Sequence, residues 1–78
     1  MKYSDGRVAM VGDIVRLGED HDGVVVCSVD DGVYTTDHPR KAWDFLGRGV
    51  LVRFPKYGLI HYEEAEPDLE LVSRAAAS

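Results

Sequence analysis

The chain has 78 residues, 45% of them hydrophobic, which is enough for one core near the lower size limit of independent folders. A formal net charge of −5 opposes binding to a phosphate backbone, and no apolar run approaches the ~20 residues of a membrane span. The single cysteine, Cys27, excludes an internal disulfide, and Met1-Lys2-Tyr3 followed by a polar turn does not read as a secretory signal. The expectation is therefore one cytoplasmic domain over 1–74, with 75–78 as a tail.

Gly and Pro punctuate the chain. Ser4-Asp5-Gly6 and Val11-Gly12-Asp13 are turn signals, and between them Val8 and Met10 alternate with small or polar residues as in a short half-buried strand. Asp13 to Leu17 places Ile14, Val15 and Leu17 in a strand with Arg16 outward. Glu19-Asp20-His21-Asp22 reads as an acidic loop, and Gly23 to Val29 as a β-branched strand. Asp30-Asp31-Gly32 is a hairpin signal, which makes Val33 to Thr36 the return strand.

The segment from Thr36 to Gly49 changes character. Thr36 or Asp37 can cap a helix, Pro39 suits its first turn and Gly47 can end it. Ala42, Trp43 and Leu46 then share one face, laying Trp43 onto the core. Gly49–Phe54 and Gly58–Tyr62 flank Pro55-Lys56-Tyr57, a second hairpin. An acidic loop, 63–68, leads to a last short strand over Leu69–Val72. The pattern predicts a mainly β fold: an SH3-like small antiparallel barrel of five or six short strands with one short helix. An OB-like barrel usually needs longer strands and a longer chain.

No constellation for catalysis stands out. His21, His38 and His61 lack the spacing of a zinc site. Asp20-x-Asp22-Gly23 resembles a calcium loop only in part, because Val29 stands where the bidentate Glu belongs. Cys27 lies in an apolar run and reads as a small buried hydrophobe. The expectation is a non-enzyme with no cofactor and no metal.

Charge is distributed unevenly. Residues 1–37 carry three basic and eight acidic side chains. Arg40, Lys41, Arg48, Arg53 and Lys56 face only Asp44 within 40–56, and 57–78 is acidic again. A bipolar surface of this kind suits a protein partner. The candidate partner-binding residues are Glu19, Asp20, Asp22, Glu63, Glu64 and Glu66, with Tyr57 and Tyr62 as aromatic anchors. The alternative is a nucleic-acid or ribosome-associated barrel using the Arg40–Lys56 face, with Trp43, Phe54 and Tyr57 as stacking surfaces. A homodimer through an unpaired edge strand is a further possibility, although the pattern does not locate that edge.

Gly12-Asp13, Val15 and Gly23, within "VGDIVRL…GVVV", resemble the KOW-type opening of SH3-like barrels in ribosomal proteins and transcription elongation factors. Those families carry basic residues where this chain has Glu19, Asp20 and Asp22, so the resemblance implies the fold rather than RNA binding. Across the whole chain, "MKYSDG", "VGD", Trp43-x-x-Leu46, "GVL", "GLIHY" and "DLELV" resemble small acidic bacterial proteins encoded near polymorphic toxins or on mobile elements. That resemblance implies an immunity-type protein that binds and blocks a toxin domain, with the acidic loops as its contact surface.

Overall fold

The computed structural model describes residues 1–64 and 66–74; the expected tail lies outside them. The fold is mainly β: five strands, β1 (Ile14–Leu17), β2 (Asp20–Ser28), β3 (Val50–Phe54), β4 (Gly58–Tyr62) and β5 (Leu69–Ser73), form one antiparallel sheet. The order β4-β3-β2-β1-β5 is a meander of four strands whose last strand returns beside the first. β4 and β5 are left as the two edges of a barrel-like sheet. Among the described residues, no helix is long and apolar enough to cross a membrane.

Strand alternation sends Val15, Val25, Val50, Val52, Phe54, Tyr62 and Leu69 to the inside, where Tyr3 and Ala9 join them. Full burial of an aliphatic or phenyl side chain is worth about 1.5–3 kcal/mol, so this cluster is the main source of stability. Gly23 lies among these residues because nothing larger fits: a Cβ there would stand 2.4 Å from the Phe54 ring and 2.9 Å from Val15. A register shift between Val25 and Cys27 turns the end of β2 over. Cys27 thereby joins Val26 and Leu51, outward by alternation, under Tyr34, Trp43 and Leu46 of the β2–β3 connection. Trp43 is half-buried and supports this second cluster from outside.

Several expectations need correction. Val8 and Met10 are exposed at 45% and 49%, whereas Ala9 is buried, and the segment makes only the single bridge Lys2–Val8. Polar ties orient it instead of apolar alternation: Met10 N–H donates to Asp13 Oδ2 at 2.9 Å, and Arg74 donates to the Val8 carbonyl at 2.7 Å. The turn at Asp30–Gly32 forms, but its return strand is one bridge, Ser28–Val33. Thr35 Oγ1 takes the Val26 carbonyl at 2.8 Å, so a side chain replaces the next backbone rung.

The helix is also shorter than expected. It spans Arg40–Trp43 (α1) and passes into a 3-10 turn over Asp44–Leu46. Pro39 stands at its N-cap without a side-chain cap, in place of Thr36 or Asp37. Finally, Asp20-His21-Asp22 is not a loop but the start of β2. Asp20 pairs with Leu17 across a tight turn, and its carboxylate accepts the backbone N–H groups of Asp22 (3.2 Å) and Lys56 (2.8 Å).

Candidate protein-binding surface

Register fixes which loops meet. Leu17 pairs with Asp20 on one side and with Leu69 on the other, so the turn at Gly18-Glu19 lies beside Pro67-Asp68. Phe54 pairs with Gly58, which brings the Pro55–Tyr57 turn to the same end of the barrel. Asp20, only 2% exposed, ties the two turns together through the Lys56 N–H. Its role is therefore internal, and it does not belong to an exposed contact surface.

Between these turns, where the β4 and β5 edges part, lies an open groove of about 680 Å³. Leu17, Tyr57, Ile60 and Pro67 supply its apolar walls; Asp68 and the Arg16–Glu70 ion pair supply its polar rim. Tyr57 is 51% exposed and meets the Phe54 ring edge-on at 6.0 Å. A methyl group at Gly18 would lie 3.7 Å from the Tyr57 hydroxyl, so the tyrosine reaches across toward the β1–β2 turn. A half-exposed aromatic anchored on a core ring is the kind of side chain that dominates binding energy at interfaces.

The expected acidic surface divides in two. Glu19 is exposed at the groove end beside Asp68, whereas Asp22 lines a separate depression with Arg53, Pro55 and Leu59. Glu63 and Glu64 follow the opposite end of β4, where Arg48 lies 3.0 Å from Glu63 and 3.8 Å from Glu64. Glu66 is exposed in the connection between them. Tyr62 is 6% exposed and belongs to the core, which removes it as an anchor. Burial pushes its phenol up, and the nearby charges of Glu66 and Asp68 add to the effect. Sequence reasoning missed Arg16, Leu17, Ile60 and Glu70, and had Pro67 and Asp68 only as part of the acidic loop 63–68. The signal that assembles them is the pairing of β1 with β5, a contact between distant parts of the chain.

The basic residues disperse as well. The Arg40 guanidinium lies 4.7 Å from the centre of the Tyr34 ring and donates to the Gly32 carbonyl at 3.1 Å. Arg48 is committed to Glu63 and Glu64. Lys41, Arg53 and Lys56 make no ion pair among the described residues.

His61 Nε2 lies 2.7 Å from the Arg48 carbonyl, His38 packs beside Trp43, and His21 is exposed. Cys27 is fully buried, and desolvation pushes its thiol up, away from the nucleophilic thiolate. Among the described residues no three His, Cys, Asp or Glu side chains gather as metal ligands would. Fold and surface together define a small, barrel-like β domain with an open, acidic-rimmed groove. No protein family, curated protein or solved structure matches the chain.

Proposed function

We propose that this chain is a non-enzymatic protein-binding module that holds a basic partner at the groove end of the barrel. The observation that carries the reading is the groove itself, with Tyr57 exposed between apolar walls, Asp68 on its rim and Glu19 in the adjoining turn. An acidic rim speeds encounter with a basic protein, and a fixed aromatic supplies the anchor. An immunity-type or mobile-element accessory protein, acting in the cytoplasm on a basic toxin domain, fits this arrangement. A lone buried thiol in place of disulfides accords with that compartment.

The nucleic-acid reading has weaker support. It needs an uncompensated positive field, but Arg48 is paired with Glu63 and Arg40 is held on Tyr34. A pull-down from native cells separates the two readings. The baits are wild type, an acidic-end variant (Glu19→Lys, Asp68→Lys) and a basic-face variant (Lys41→Glu, Arg53→Glu). The expected result is one protein captured by wild type and the basic-face variant and lost by the acidic-end variant. Nucleic acid captured by wild type and lost only by the basic-face variant would overturn the proposal.

A further inference from the structure

The sheet contains four strand pairs, and three of them carry a register shift: β1–β2, β1–β5 and β2–β3. The β3–β4 pair alone is unbroken, running from Val50–Tyr62 to Phe54–Gly58. β4 is thus a regular edge, and its outer side meets no other strand of the sheet. Among the described residues, the backbone hydrogen bonds outside the strands involve none of Gly58–Tyr62.

Proteins usually blunt such an edge with charged side chains, proline or bulges, because its free N–H and C=O groups are a template for another strand. β5, the other edge, is blunted in this way: Glu70 bonds to Arg16, and the pairing with β1 is bulged. β4 reads Gly58-Leu59-Ile60-His61-Tyr62, with no Lys, Arg, Asp, Glu or Pro. Leu59 and the adjacent Tyr57 are 44% and 51% exposed.

We propose that two copies of this chain pair through β4, antiparallel about a two-fold axis at Ile60, to join their sheets. A two-fold interface must be complementary to itself, and this segment is. Centring the pair on Ile60 gives full overlap of the strands, with Leu59 opposite His61 and Gly58 opposite Tyr62 of the second copy. The same two-fold brings the turn that holds Lys56, just before β4, to the end of the second copy's β4 that Glu64 follows, once at each end. Lys56 has no ion-pair partner among the described residues, and the Glu64 side chain is 82% exposed with only a long contact to Arg48. An unrelated peptide adding to this edge would have no reason to find charge complementarity that the segment offers to itself. Backbone hydrogen bonds supply the affinity, and the two flanking ion pairs select register and orientation.

Sedimentation of the full chain tests the pairing. Wild type is expected to show a monomer–dimer equilibrium between about 1 μM and about 1 mM. Lys56→Glu and Glu64→Lys, each placing like charges together at both ends, should weaken the dimer about 10-fold each. The double variant Lys56→Glu/Glu64→Lys should recover most of the wild-type affinity. Circular dichroism checks that all four proteins share one fold, which exposed positions 56 and 64 permit. A monomer at every concentration overturns the proposal; so does a dimer indifferent to the single substitutions, or one not rescued by the double. A strand added at β4 lies along the Ile60 wall of the groove, so a second copy and the basic partner compete for it. Sedimentation of the chain alone reads the dimer without the partner, and the groove variants leave Lys56 and Glu64 in place, so the two failures are separate results.

Discussion

Gly49→Ala is expected to remove about 4 kcal/mol or more of the chain's stability, the largest loss of any single substitution proposed. Gly49 stands at the entry to β3 with φ of +90°, a conformation that costs a residue with a Cβ about 1–3 kcal/mol. Space is a harder constraint than conformation. A Cβ at this position would lie 2.0 Å from the Tyr62 carbonyl oxygen and 2.8 Å from the Glu63 Cα, both backbone atoms. Neither can swing aside as a flexible side chain would, so β3 and the end of β4 must separate.

Separation there also breaks the ties that hold the β2–β3 connection. Gly49 N–H donates to Asp30 Oδ1 at 3.0 Å, and the Gly49 carbonyl accepts the Val29 N–H at 2.9 Å. The Gly49 N–H is the main reason the Asp30 carboxyl is held below the usual range. Strain and overlap together should remove about 4 kcal/mol or more. A domain of this size has roughly 4–12 kcal/mol in total. Chemical denaturation followed by circular dichroism would show it. A loss under about 1 kcal/mol would mean that the strands do not close on Gly49 as described.

Asp13→Ala should be nearly as damaging, for a polar reason. Asp13 is fully buried and accepts from three directions: the Tyr3 hydroxyl at 2.6 Å, the Met10 N–H at 2.9 Å and Arg74 Nε at 3.1 Å. It thereby joins the first and last described segments of the chain. Without the carboxylate, the Tyr3 hydroxyl stays buried without a partner, at about 1–3 kcal/mol, and the half-exposed Met10 loses a hydrogen bond worth about 1 kcal/mol. Arg74 is partly exposed and can turn to water, so its loss adds little. The expected cost is about 3 kcal/mol, against about 1 kcal/mol for Tyr3→Phe, which removes one donor and leaves the acceptor other partners.

The same pair predicts an alkaline limit. Burial raises the Tyr3 phenol far above its ordinary value, and the hydrogen bond to Asp13 adds to this. A raised phenol means that the folded chain favours the neutral hydroxyl. Its contribution to stability is whole below the unfolded value of about 10 and is lost as pH rises above it. Thermal unfolding midpoints should therefore fall above about pH 10, and Tyr3→Phe should fall less steeply. A Tyr3→Phe slope equal to that of wild type would show that Tyr3 is not the group concerned. Tyr62, also raised by burial, accounts for a drop that remains in the variant.

How much of this was legible in the sequence depends on distance along the chain. Ile14–Leu17, Val50–Phe54, Gly58–Tyr62 and Leu69–Val72 are apolar runs between turn residues, and local pattern was enough to place them. Asp20-His21-Asp22 looked like a loop because polarity is the usual local sign of one. Pairing with Leu17 and a carboxylate spent on two backbone N–H groups made it strand. Val33 to Thr36 failed the other way, since its β-like residues lost the ladder to the Thr35 hydroxyl. Tyr57 was visible as a turn aromatic. The groove beside it was not, because it exists only where Leu17 meets Leu69, and no window of the sequence contains both.

The most direct test of the central claim is the affinity of the captured partner for wild type and for Tyr57→Ala, measured by calorimetry. If Tyr57 anchors a protein at the groove, its truncation should weaken binding about 30-fold, the loss expected of an aromatic hot spot. Far-UV circular dichroism should be unchanged. Affinity within about threefold of wild type, with the fold intact, would contradict the account and place the partner on another face.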